Sequence, residues 1–134
     1  MIYLLDTHTV LWSLFEPARI SETVRPILAN DSDSKFISGV SIWEISLKYS
    51  LGKLELGGAN PSELFDKLLE AGFEVADMEN RLLATYYQLP MKDDHRDPFD
   101  RLLIWQAISN GYTLITQDKK IEQYLADGLQ LIVG

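Results

Sequence analysis

No cysteine occurs among the 134 residues of this chain, which removes disulfides and thiolate metal centres together. Histidine is nearly as scarce. His8 and His95 are the only two, too few to build a zinc centre by themselves. No apolar run approaches the ~20 residues of a membrane-spanning helix. The opening MIYLLDTHTV has neither the basic n-region nor the small-residue cleavage site of a signal peptide. Together these absences predict a cytoplasmic protein with no membrane partner. Basic residues are the minority charge, 12 Lys and Arg against 20 Asp and Glu, for a formal net charge of -8. As a total, that works against a nucleic-acid partner, whose phosphates need Lys and Arg, and favours a small molecule or a protein. Acids gathered around a cation, however, lower the total without repelling a substrate from that spot. Repeats, low-complexity tracts and Gly/Ser-rich linkers are missing too. The sequence therefore predicts a single domain over residues 1–134, with an apolar fraction of 46% that supplies a core and argues against disorder.

What is present is an alternation. Short apolar runs, IYLL (Ile2 to Leu5), KFIS (Lys35 to Ser38), FEVA (Phe73 to Ala76), TLIT (Thr113 to Thr116) and LQLIV (Leu129 to Val133), read as strands. Helical patterns lie between them at about Thr9 to Phe15, Ser21 to Ala29, Ser41 to Leu51, Pro61 to Ala71, Glu79 to Leu89, Pro98 to Asn110 and Lys119 to Tyr124. Gly72 and Gly111 follow two of the helices as C-terminal stops. Strands alternating with helices imply an α/β fold with a parallel sheet covered on both faces. In such a sheet the strand C-termini and the following helix N-termini share one edge, where ligands bind.

Several acids fall on that edge. Asp6 follows the first strand, and Asp118, in LITQDKKIEQYL, follows the fourth. Asp97 and Asp100 open the helix DPFDRLLIWQA, with Pro98 suited to its first position, so that Asp97 reads as the N-cap and Asp100 as the third helical residue. Glu44 sits in SIWEISLKY, where Ser41 and Glu44 form an S-x-x-E capping box. Capping or solvation explains each acid singly, but those explanations do not require all of them to converge. Carboxylates brought within a few ångströms repel unless a cation is present. Oxygen ligands without cysteine point to Mg²⁺ or Mn²⁺, and a metal at an open edge suits phosphoryl chemistry.

Asp6 after strand one, Glu44 in the third helix, DPFDRLL from Asp97 and TQD (Thr116 to Asp118) after a strand resemble, in order and spacing, the PIN-domain ribonucleases, particularly VapC-type toxins of toxin–antitoxin pairs. The resemblance covers essentially the whole chain. It implies a three-layer α/β/α fold with a central parallel five-stranded sheet of order 3-2-1-4-5, and a Mg²⁺- or Mn²⁺-dependent endoribonuclease. It further implies an RNA substrate, a homodimer, and a small antitoxin that inserts a C-terminal segment near the site. Carried over by position, the catalytic and metal-binding acids fall on Asp6, Glu44, Asp100 and Asp118, and the hydroxyl before the last acid falls on Thr116. Asp97 is an extra acid that could join the metal set, and His8 stands where a small polar residue is usual.

The remaining polar and aromatic residues carry weaker expectations. His95, Lys92 and Arg96 read as an exposed loop, and with Arg101, Lys119 and Lys120 they could form a basic rim for phosphate contacts. Trp12, Trp43 and Trp105 lie among apolar helix positions and read as core. Tyr86 and Tyr87 cannot both face inward, so one is expected on an exposed dimer or antitoxin surface. Two other enzyme classes fit poorly. An aspartyl-phosphate phosphatase needs a second acid at the position of His8, and a phospho-receiver needs an acidic neighbour for Asp6. The non-enzymatic alternative is an acidic α/β interaction module whose carboxylates only cap helices.

Overall fold

The computed structural model describes residues 1–134. Five strands, β1 (Ile2–Leu5), β2 (Ser34–Ser38), β3 (Glu74–Ala76), β4 (Thr113–Thr116) and β5 (Gln130–Val133), form one sheet of order β3-β2-β1-β4-β5. Every neighbouring pair is parallel, as the βαβ alternation requires. The sheet turns back on itself at β1, which lies between β2 and β4 with Leu5 opposite both Ile37 and Ile115.

Alternation along β1 divides the interior in two, because successive side chains point to opposite faces. Leu5 packs with Val10, Ile37, Ile45, Leu64 and Ile115 on one face, and Leu4 packs with Leu103, Ile104, Leu114 and Tyr124 on the other. Leu4, Leu5, Leu114 and Ile115 are completely buried, each contributing roughly 1.5–3 kcal/mol. Helices α1 (Thr7–Phe15), α2 (Arg25–Ala29), α3 (Gly39–Ser50), α4 (Pro61–Glu70), α5 (Asn80–Thr85) and α6 (Pro98–Asn110) cover the sheet. The segment Lys119–Asp127 is a run of 3₁₀ turns.

Three local differences from the sequence reading bear on the site. Helix α3 begins at Gly39, directly on the end of β2, with the Ser38 side chain accepting from Val40 N. Ser41 is therefore a residue inside the helix and not its cap, and Glu44 lies beyond the first turn. Asp6 is more than a loop residue, for it caps α1 by accepting from Thr9 N at 2.8 Å. Helix α6 follows the expected pattern, with Asp97 as N-cap, Pro98 in the first turn and Gly111 closing it at φ 71, a left-handed conformation that glycine adopts without strain.

Candidate active site

The C-terminal edge of the sheet gathers the acids through three chain connections. The first leaves β1 at Asp6, a buried residue whose two carboxylate oxygens are both engaged. One oxygen accepts the Thr9 N–H, and the other accepts the buried Thr116 hydroxyl at the end of β4. The Thr116 oxygen also accepts from Asp118 N at 3.1 Å, so one hydroxyl ties the first strand's acid to the fourth's. Asp118 caps the following 3₁₀ turns through Oδ1, leaving Oδ2 directed elsewhere.

The second connection is β2 to α3. Glu44 is buried, and its charge is met on both sides: the Thr7 hydroxyl donates to Oε1 at 2.7 Å and Lys48 Nζ donates to Oε2 at 2.6 Å. The Ser41 hydroxyl lies 2.9 Å from that of Thr7. The Lys48 ammonium is held above its ordinary value, chiefly by the bond to Glu44, with burial opposing and the charges of Glu44, Asp97 and Asp100 adding.

The third connection enters α6. Asp97 Oδ1 accepts from Phe99 N at 2.8 Å and from Asp100 N at 3.2 Å, a capping role that Asp100 does not share. Asp100 is half-buried, and its carboxyl is pushed up to about 7 by burial first and then by the charges of Asp97, Glu44, Asp6 and Asp118. The four acids surrounding it are those singled out in the sequence. Their convergence is thus expressed as electrostatic repulsion on one group.

His95 completes the cluster, contrary to its expected exposed loop. It is only 5% exposed, and its Nε2 lies 3.6 Å from Asp100 Oδ2 and 3.9 Å from Asp118 Oδ2. The ligating atoms of His95, Asp100 and Asp118 all lie within 4.8 Å of one another. Burial lowers the imidazole's pKa, with Asp118 opposing and Arg101 assisting. Nε2 has no hydrogen-bond partner in the chain. A carboxyl pushed up by burial and by neighbouring acids, beside a buried ring nitrogen without a partner, fits a site for a ligand. The oxygen donors fit a hard divalent cation.

Other expectations need correcting. Arg101 is no part of a basic rim: it is 2% exposed and donates to Tyr86 Oη, Tyr124 Oη, Leu89 O and Pro90 O. Lys92 is largely covered and pairs with Asp127 at 3.0 Å, while Arg96, Lys119 and Lys120 are exposed as read. Trp43 does not lie in the core. It is 59% exposed and rests against Phe99, with ring centroids 5.2 Å apart, and each ring belongs to the residue just before an acid, Glu44 or Asp100. Trp12 and Trp105 are partly buried. Tyr87 is the exposed tyrosine and Tyr86 the packed one. His8 is exposed and sits beside Trp12, with ring centroids 6.3 Å apart. The largest cavity, about 650 Å³ and lined by Leu14, Pro17, Ile20, Leu28 and Phe73 among others, contains none of the acids.

Sequence reasoning missed Thr7, Lys48 and Tyr124, and misplaced Arg101 and His95. Only Lys48 had a local signal, as it lies one helical turn beyond Glu44 at the i,i+4 spacing of a helix ion pair.

An acidic cluster at the C-terminal edge of a five-stranded parallel sheet of order 3-2-1-4-5 defines the class of fold and site. The chain belongs to the PIN domain family, whose sequence model matches residues 3–125. It is 26% identical over 121 residues to Ribonuclease VapC22 of Mycobacterium tuberculosis, covering 90% of each chain. The fold is similar to that in VapBC2 from Rickettsia felis bound to a DNA fragment from its promoter, with TM-score 0.73, 21% identity and 99% and 98% of the two chains covered. It is also similar to VapBC-1 from nontypeable Haemophilus influenzae, with TM-score 0.69, 20% identity and the same coverage.

Proposed function

We propose that this chain, acting as one domain over residues 1–134, is a Mg²⁺- or Mn²⁺-dependent endoribonuclease and the toxin of a toxin–antitoxin pair. The observation that carries the reading is the meeting of Asp6, Glu44, Asp97 and Asp118 around an Asp100 carboxyl pushed up to about 7, in a PIN-family chain. The ribonuclease name of the Mycobacterium relative and the VapBC complexes among the structural neighbours support the substrate class and a small antitoxin partner. A homodimer and a cytoplasmic location belong to the same proposal.

In this reading Asp6, Asp100, Asp118 and Glu44 would hold the cation, with Asp97 close enough to influence Asp100 by charge. The bound ion supplies Lewis-acid polarisation of a phosphate oxygen and a lowered pKa for the attacking water. Thr116 fixes the Asp6 carboxylate through its hydroxyl, and the Thr7 and Lys48 bonds hold Glu44 against the repulsion of its neighbours. Asp100 would hold the ion as an ionised carboxylate, the form that coordinates a cation. A divalent cation held by these acids would offset their charge toward a polyanionic substrate, which reconciles a net charge of -8 with RNA.

The test is cleavage of end-labelled RNA by the purified chain with Mn²⁺, with EDTA, and with Asp6→Asn. We expect activity in the first case alone, and metal-dependent cleavage retained by Asp6→Asn would remove the assignment. Overproduction that arrests growth, relieved by the neighbouring small protein, checks the toxin role. Sedimentation of the 15.3 kDa chain checks the dimer. One observation favours the interaction-module reading: Asp6, Asp97 and Asp118 each bond a backbone N–H at a helix start. A chain whose melting temperature ignores millimolar Mn²⁺ would support that reading instead.

A further inference from the structure

Trp43 is the one tryptophan that the fold leaves bare. Trp12 and Trp105 pack against the two halves of the core, and the Trp105 indole N–H donates to Leu82 O and Thr85 Oγ1. Trp43 has one aromatic contact, with Phe99, tilted at 58° with ring centroids 5.2 Å apart. A single tilted contact covers at most one face of an indole, so at 59% exposure the other face is open to solvent. Phe99 is half-buried and packs against the part of the core that contains Leu103 and Ile104, which makes it a fixed support for the exposed ring.

The place of this ring pair says what it faces. Helix α3 packs on α6, and at their seam Trp43 meets Phe99, while Glu44 and Asp100 are the next residues of the same two helices, about 1.5 Å further along each axis. The charge of Glu44 also acts on Asp100, so rings and acids are neighbouring rows across one seam. A nucleic-acid strand brings two kinds of group to such a border. Its phosphates are repelled by carboxylates, whereas its bases are neutral and flat, and an open indole face is a surface on which they stack. Exposed cations for the flanking phosphates come from other connections, Arg96 ahead of α6 and Lys119 and Lys120 after β4. We propose that Trp43, backed by Phe99, is the stacking platform for an unpaired nucleobase next to the cleaved phosphodiester. The cleavage half of this statement rests on the nuclease reading above, and the stacking half does not. A base inside a duplex has both faces covered by its neighbours, so the platform serves only a base that is splayed out, and it accepts any base because each has a π face.

Cleavage of a labelled oligoribonucleotide, with an abasic nucleotide placed in turn at each position flanking the cut, tests the pairing of ring and base. We expect one position at which the abasic substitution lowers wild-type kcat/KM by about 10-fold, the loss of one base–aromatic stack. Trp43→Ala should lose about as much on the intact strand and nothing further on the abasic one. Trp43→Phe should keep most of the rate, and Trp43→Leu, apolar but not aromatic, should behave as Trp43→Ala does. Independent losses from the ring and from the base, or wild-type rates in Trp43→Leu, would overturn the proposal. Tryptophan fluorescence gives a readout without cleavage. In the full-length Asp6→Asn chain with Mg²⁺, a short single-stranded oligoribonucleotide should quench the emission, and the quenching should vanish when Trp43→Phe is added; unchanged emission would overturn the stacking. Failure of the wild-type chain to cleave any RNA would remove the nuclease reading, and the quenching result would then decide the stacking site by itself. Sedimentation separates the competing occupant: a Trp43→Leu chain that changes its oligomeric state would assign the ring to a second copy of the chain and overturn its assignment to RNA.

Discussion

Two aspartates three positions apart do different things. Asp97 is occupied by the backbone of α6, whereas Asp100 is directed toward the other acids and carries their repulsion. We expect Asp97→Ala to lower stability by roughly 1 kcal/mol and Asp97→Asn to lower it much less, since asparagine caps about as well, as read by urea unfolding. Asp100→Asn should abolish cleavage yet stabilise the metal-free chain. The pH dependence has a definite sign. Asp100 titrates at about 7 when folded and at its ordinary 3.8 when unfolded, so between those values the native state holds a proton the unfolded state has lost. Its contribution to stability therefore falls as pH rises through that window. His95 works in the opposite sense, because its lowered pKa favours the native state as pH rises toward and past the ordinary 6.5. The decisive quantity is accordingly the difference between wild type and Asp100→Asn at each pH. We expect the variant's advantage in urea midpoint to grow from about pH 4 to about pH 7 in EDTA; a constant difference would place the Asp100 pKa near its ordinary value.

Elements of the fold are joined at the site by single side chains. Arg101 ties α6 to the chain following α5 by donating to Leu89 O and Pro90 O, and reaches Tyr124 in the 3₁₀ segment as well. Arg101→Ala leaves those acceptors buried and unpaired, and we expect a loss on the order of 3 kcal/mol or more in chemical denaturation. Arg101→Lys should recover little of it, because a lysine ammonium cannot reproduce the planar fork of five donors. On α3 the corresponding tie is Lys48 to Glu44. Lys48→Met leaves a buried carboxylate without its counter-charge, so the metal-free protein should melt lower than wild type. Bound Mn²⁺ would then be the remaining cation near Glu44, and the gain in melting temperature on adding Mn²⁺ should exceed that of wild type. An equal gain would mean that Glu44 does not face the ion.

At the scale of the whole molecule, repulsion among the acids is a term that a bound divalent cation would relieve. The chain carries -8 overall, and the site concentrates part of that charge at one sheet edge. A ligand that binds only the folded state stabilises it by about 2.7 kcal/mol at a hundredfold excess over its dissociation constant. We therefore expect Mg²⁺ or Mn²⁺ to raise the melting temperature, with apparent affinity increasing as pH rises through about 7, where Asp100 loses its proton. Scanning calorimetry across a metal titration at two pH values measures both effects. A melting temperature that rises equally with NaCl of matched ionic strength would show screening of the acids and no specific site.

The strands and the cap of α6 were legible in the sequence because each depends on spacing within one segment, the parallel sheet because strands alternate with helices, and the strand order only through the family resemblance. The apolar runs set β1 through β5, and Asp97-Pro98 set the start of α6. The converging acids were legible for a related reason, since a parallel sheet brings every strand's C-terminal end to the same edge. That rule places Asp6, Asp97, Asp100 and Asp118 at the edge, and the family resemblance set Asp100 apart from Asp97. Tertiary packing decided what spacing cannot express. His95 reads as an exposed loop residue until Tyr124, 29 positions away, packs against its ring. Arg101 reads as surface charge until carbonyls from Leu89 and Pro90 and two tyrosine hydroxyls surround it. Trp43 reads as core until no segment arrives to cover it. In each case exposure is set by what comes in from elsewhere in the chain, so the sequence determined which acids meet, and the tertiary structure decided which neutral and basic groups stand behind them.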